Sequence, residues 1–120
     1  MSSSVARGNN FELEISRILR RVGIECYRIR PGPGDGGVDI TGNFVRIPII
    51  IQCKDQRRGI GPAVVRELEG VLTKCHEDTI GIVVVPAKNK FNDGAVERAG
   101  TSKCNIILTD KRDLYLDLIR

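Results

Sequence analysis

The sequence holds no tryptophan and only 4% aromatic residues. That argues against stacking of nucleic-acid bases on aromatic faces as the main binding mode. Histidine is almost absent too. His76 has no histidine partner at ligand spacing and no nucleophile paired with it, which argues against structural zinc and against a metal-independent hydrolase. The four cysteines, Cys26, Cys53, Cys75 and Cys104, lie far apart and form no CxxC pair. Each sits within or beside an apolar stretch, the pattern of free thiols in a reducing compartment. No apolar run can span a bilayer; the strongest, Ile47 to Ile51, is of strand length. Met1 to Arg7 carries no hydrophobic secretory segment, and the periodic pattern starts near Phe11, which leaves little room for a transit peptide. The expectation is an intracellular protein, with cytoplasm, nucleus and organelle all open. No internal repeat or low-complexity segment is present.

What the sequence does have is ordinary globular composition, 41% hydrophobic and 28% charged. Its 120 residues suit a single domain, 1–120, around one core. The formal net charge of +4 mildly favours a polyanionic partner.

Phe11, Ile15, Ile18, Leu19 and Val22 recur at helical spacing, with Asn9 or Asn10 as the cap and Gly23 as the stop. Cys26 to Arg30 reads as a short strand. Pro31-Gly32-Pro33-Gly34-Asp35-Gly36-Gly37 is a tight loop. Val38 to Thr41 reads as a second strand with a turn around Gly42-Asn43, and Ile47 to Lys54 as a third. The near-continuous apolar run of the third predicts burial on both faces, at the centre of a sheet. Pro62 suits the first turn of a helix whose buried face is Val64, Leu68, Val71, Leu72 and Cys75. Thr79 to Val85 is another buried strand. Asn92 to Ala99 is a helix with Asn92 or Asp93 near its cap, and Ile106 to Leu108 is a last short strand. Asp110 is expected to cap a final helix with Leu114, Leu118 and Tyr115 turned inward. The order is α-β-β-β-α-β-α-β-α. It implies an α/β domain with a mixed sheet of about five strands flanked by helices.

Strand alternation sends Gln52 and Lys54 one way and Cys53 the other. A lysine after Ile-Ile-Ile-Gln-Cys is costly to bury without a partner. Asp39, between Val38 and Ile40, is expected to face opposite to both, and it too needs a partner. A hairpin would bring Asp39 to Gln52 and Lys54. A minimal turn at Gly42-Asn43 would set Asp39 beside Arg46 instead. The connection must then run longer, towards Pro48, which suits a strand start. Spacing alone leaves two readings open for Asp39 and Lys54, a structural salt bridge or a site. It leaves Glu12 open in the same way, as a solvated helix acid or a site residue.

Gly8-Asn9-Asn10-Phe11-Glu12, then Gly34-Asp35-Gly36-Gly37-Val38-Asp39-Ile40, then Ile51-Gln52-Cys53-Lys54 form a pattern that resembles the PD-(D/E)xK nuclease superfamily. More narrowly, the chain resembles the catalytic domain of Mrr-type restriction endonucleases and the related archaeal Holliday junction resolvases. Val64 to Gly70, Val83 to Pro86 and Phe91 to Ala95 continue the likeness, which covers nearly the whole chain in order.

The resemblance implies a restriction-endonuclease-like fold and a metal-dependent endodeoxyribonuclease. It implies Asp39 as the main metal ligand, bridging the ion and the scissile phosphate. Glu12 would contribute from the first helix, directly or through water. Gln52 stands where the second acid usually stands; its side-chain oxygen and the backbone carbonyl of Cys53 are further implied ligands. Lys54 would orient or deprotonate the attacking water and offset charge on the phosphorane. Mg2+ or Mn2+ is the implied cofactor, because hydrolysis develops negative charge on phosphate oxygens that a divalent ion stabilises. Gln52 is a departure. It removes one negative charge, which predicts weaker metal binding and a tilt towards Mn2+. Asp35 either restores that charge as an auxiliary acid or only shapes its turn.

Arg28, Arg30, Arg57 and Arg58, with Lys54, are the candidate DNA-contacting cations, extended by Lys88 and Lys90. The expected partner is duplex or branched DNA, read by shape rather than by base sequence, with no membrane. The likeness to resolvases implies a homodimer. The alternative is a non-catalytic DNA-binding module that keeps the fold, with Gln52 marking lost chemistry. The presence of Glu12, Asp39 and Lys54 together argues against it.

Overall fold

Apolar residues at helical spacing build helix α1, Ser4–Arg21. Phe11, Ile15 and Leu19 are buried along it. The helix starts ahead of Asn9 and Asn10, so these lie inside it rather than at its cap. Gly23, at φ 82, ends the turn that follows. Val22 falls past the helix end and is 41% exposed instead of facing the core. The computed structural model describes residues 4–29 and 37–120.

Three strands follow: β1 (Glu25–Arg28), β2 (Ile40–Phe44) and β3 (Ile47–Cys53). They form an antiparallel meander. Gly42 is not in a turn, as its sequence context suggested. It pairs with Cys26 on one side and Ile49 on the other. A Cβ there would strike the Glu25 carbonyl, so glycine permits the close approach of β1. The turn is Val45-Arg46, two residues with positive φ of 50 and 68, as a type I′ hairpin requires. Pro48 is the second residue of β3, opposite Asn43 and ahead of the point where β4 (Ile80–Val85) joins. The resulting register pairs Ile40 with Ile51, and the Asp39 N–H donates to the Ile51 carbonyl at 2.8 Å. Asp39 thus comes level with Gln52 through longer strands and a tight turn, not through a longer loop.

The second half alternates: helix α2 (Pro62–Leu72), β4, helix α3 (Asp93–Thr101), β5 (Asn105–Asp110) and helix α4 (Leu114–Ile119). A short 3-10 turn at Lys88–Lys90, not expected from the sequence, follows β4. β3, β4 and β5 are parallel, and the sheet order is β1-β2-β3-β4-β5. This is the mixed five-stranded α/β sheet the element order implied. β3 is its middle strand, buried on both faces. Ile49 and Ile51 join a core with α1 and α4, while Ile50 joins a second core with α2. Each such buried side chain contributes about 2 kcal/mol.

α2 buries Val65, Leu68 and Leu72; Val64 and Val71 are only partly buried, and Cys75 lies past its end. The Asn92 side chain caps α3, accepting from the Ala95 N–H at 2.9 Å. α4 buries Leu114 and Leu118, whereas Tyr115 is 38% exposed rather than inward. Asp113, not Asp110, occupies the N-cap position of α4. Buried Asp110 instead accepts from the backbone N–H groups of Lys88, Arg112 and Asp113, tying two loops together. All four cysteines are free thiols.

Candidate active site

β3 is the strand that pairs antiparallel on one side and parallel on the other. At its C-terminal end the polar residues Gln52, Cys53 and Lys54 follow the apolar run. Asp39 meets that end from β2's entry. Its carboxylate Oδ2 accepts the Cys53 N–H at 2.8 Å, a charge-assisted bond that fixes where the acid points. Val38 and Ile40 do not share a face: Val38 packs in the α2-side core and Ile40 in the α1-side core. Asp39 therefore does not simply oppose both neighbours, as strict alternation predicts. The chain bends there, and the backbone of β3 aims the carboxylate.

Glu12 comes from α1, next to buried Phe11, and is half-buried. Burial pushes its carboxyl pKa up, and the charge of Asp39 pushes it further; Arg28 on β1 pulls it down. The Cys53 thiol is also pushed up, by burial first and then by Asp39 and Glu12, and so stays protonated. Glu12, Arg28, Asp39 and Cys53 thus share one electrostatic neighbourhood.

Gln52 turns to the α2 side. It is fully buried, and its amide Nε2 donates to Glu67 Oε1 at 3.0 Å. Gly37, at φ +78, lies against this pair. A Cβ there would sit 2.5 Å from Glu67 Oε1 and 3.0 Å from Gln52 Nε2. Lys54 is half-buried one residue beyond β3, where its backbone N–H donates to the Val84 carbonyl at 2.9 Å.

Arg57 and Arg58 are exposed in the loop after β3. That loop is laced to the one after β4: Ile60 N–H donates to the Lys90 carbonyl, Asn92 N–H to the Ile60 carbonyl, and Lys90 Nζ to the Arg57 carbonyl. Lys88 points elsewhere. Its ammonium pairs with Asp113 at 3.1 Å and Asp117 at 3.0 Å, so it braces α4 rather than extending a basic rim. Arg30 and Asp35 lie outside the described residues.

Among the described residues, no three or more His, Cys, Asp or Glu side chains group closely enough to hold an ion by themselves. The donors at hand are hard oxygens: two carboxylates, an amide and backbone carbonyls. That set suits a hard divalent cation whose shell water completes. The like charge between Glu12 and Asp39 is the kind such a cation neutralises.

Sequence reasoning missed Glu67 and the role of Gly37. The available signal was Gln52 itself. A buried amide needs a partner, and the covering helix offers Arg66, Glu67 and Glu69 near its middle. Glu69 is taken by Arg98 and Ser102 on the α3 side.

The family of Mrr catalytic domains, described as restriction endonuclease, matches residues 5–116. The chain belongs to this family. This restriction endonuclease domain is 37% identical over 89 residues to "Uncharacterized protein C824.03c, mitochondrial" of Schizosaccharomyces pombe. The match takes in 68% of this chain and 36% of that protein, so the domain spans about a third of its curated relative. A solved structure described as a protein of unknown function, AF1548, superposes with TM-score 0.65 at 18% identity, over 83% of this chain and 57% of that one. A repair endonuclease from Pyrococcus abyssi does so with TM-score 0.58 at 22% identity, over 90% and 46%. At those identities the likeness is one of fold. No helix among the described residues is long and apolar enough to cross a membrane.

Proposed function

We propose that this domain hydrolyses DNA phosphodiester bonds with a bound Mg2+ or Mn2+ ion. Asp39 and Glu12 would hold it, with the Gln52 side-chain oxygen and the Cys53 carbonyl as further ligands. The observation that supports this most is the convergence of Glu12 and Asp39, from separate elements, at the polar end of β3.

When bound, the ion supplies Lewis acidity and a hydroxide from water at neutral pH. The protein supplies the rest. The Cys53 N–H presets the Asp39 carboxylate, so no reorganisation is needed when substrate arrives. Lys54 brings a compact ammonium to the attacking water and the phosphate oxygens, where negative charge grows. Arg28 balances the two acids and stands ready for a phosphate. Arg57 and Arg58, exposed beside the site, hold the DNA backbone without reading sequence. Asp35 remains a proposed auxiliary acid and Arg30 a proposed contact. Duplex or branched DNA is the proposed substrate, chosen by shape, and a homodimer is the proposed working unit, since paired cuts in a junction need two sites. The mitochondrial label of the fission-yeast relative supports an intracellular, organellar setting.

The test is a panel of labelled four-way junction, flap, duplex and single-stranded DNA with Mg2+, Mn2+ or EDTA, alongside sedimentation of the protein. Cutting that requires the ion, with junction preferred and a dimer in solution, is the expected result. Binding without cutting under every condition would replace the reading with a non-catalytic DNA-binding module.

A further inference from the structure

Gln52 is neutral where an acid would hold a cation more strongly, and it is fully buried. An amide has two unlike ends. Its oxygen attracts a cation and its NH2 repels one, so the site works only with the amide one way round. Glu67 Oε1 lies 3.0 Å from Gln52 Nε2, and a carboxylate can only accept. That contact forces the NH2 towards α2 and turns the oxygen away from Glu67. Asp39 lies level with Gln52 across the β2–β3 ladder.

Gly37 supplies a second, independent observation. Its missing Cβ leaves the space in which the carboxylate and the amide meet. The backbone at Gly37, two residues ahead of Asp39, thus makes room for the Gln52–Glu67 pair. Glu67 itself is exposed, so only its contact with the buried amide, and not burial of its own, fixes the pair.

We infer that Glu67 is a positioning residue that fixes the Gln52 amide with its oxygen towards the divalent ion. The inference rests on the metal-site reading proposed above. It assigns the pair a joint role: glutamine at 52 and glutamate at 67 form a matched donor and acceptor. Replacing Gln52 by glutamate alone would press two carboxylates together. The matching exchange, Gln52→Glu with Glu67→Gln, would restore a donor facing an acceptor and place a full negative charge in the site.

The experiment is titration of the metal-free protein with Mn2+, read by calorimetry and by loss of the free-ion electron paramagnetic resonance signal. Glu67→Ala should weaken Mn2+ binding by about tenfold or more, the usual consequence of losing a ligand's supporting partner. Glu67→Gln keeps an acceptor oxygen and should stay within about threefold of the wild type, well inside that penalty. Gln52→Glu alone should gain nothing, whereas Gln52→Glu/Glu67→Gln should bind more tightly than the wild type. That reversal is a coupling a merely structural contact would not produce. The inference is overturned if Glu67→Ala binds Mn2+ as the wild type does, or if Gln52→Glu alone binds as tightly as the double variant. A wild type that binds no Mn2+ would instead remove the metal-site reading, and this inference with it.

Discussion

A carboxyl group whose ionisation is opposed by burial and by a neighbouring carboxylate weakens the fold when it ionises. Glu12 is such a group. Its folded pKa lies above the unfolded one. Its contribution to stability is therefore full below the ordinary carboxyl range and is lost as pH rises through the raised value. Glu12→Gln should raise the thermal midpoint of the metal-free protein at neutral pH. It should do little near pH 3, where carboxyls of ordinary pKa, about 4, are protonated in both states. Scanning calorimetry across that range checks the sign, and added Mn2+ should cancel the advantage. Cys53 gives a second readout. Held protonated by burial and the two acids, its thiol should alkylate far more slowly than a free cysteine at pH 8, as mass spectrometry would show. Spacing left Asp39 and Lys54 open between a salt bridge and a site, but that Asp39, Gln52 and Lys54 need partners was legible, because polar residues on apolar strands stand out. Glu67 was not. On an amphipathic helix, a glutamate beside the buried stripe looks the same whether solvated or engaged.

The same contrast holds for the elements. Helices with a regular apolar stripe and the central strand β3 were legible because burial writes a period into sequence. The β2–β3 hairpin was not. Gly42-Asn43 carries turn residues, but the glycine answers the approach of β1, and the real turn uses Val45-Arg46. Neither residue favours positive φ, and a β-branched one least of all. Val45→Asn with Arg46→Gly should therefore stabilise the protein, by about 1 kcal/mol or more, read as a higher urea midpoint. Nuclease activity should not change, since this turn is at the opposite end of β3 from Lys54. A fall in stability would contradict a type I′ turn at these two residues.

At the scale of the molecule, two groups of cations that look alike in the sequence behave differently. Arg57 and Arg58 are exposed in the loop after β3, whereas Lys88 is bound to Asp113 and Asp117. Replacing Arg57 or Arg58 by alanine should weaken DNA binding for every sequence. Each should reduce the slope of log affinity against log salt by about 0.9, one phosphate contact. Lys88→Ala should lower the thermal midpoint and leave that slope unchanged. The mixed sheet could be read from element order. The ion pairs that divide these lysines and arginines could not, because they join residues distant in sequence. The most direct test of the whole account compares wild type, Asp39→Ala and Lys54→Ala cutting a labelled four-way junction and its matching duplex in Mn2+. Cutting by the wild type and a loss of about a hundredfold or more in each variant, with the fold kept, is the expected result. Cutting that survives in both variants would contradict it.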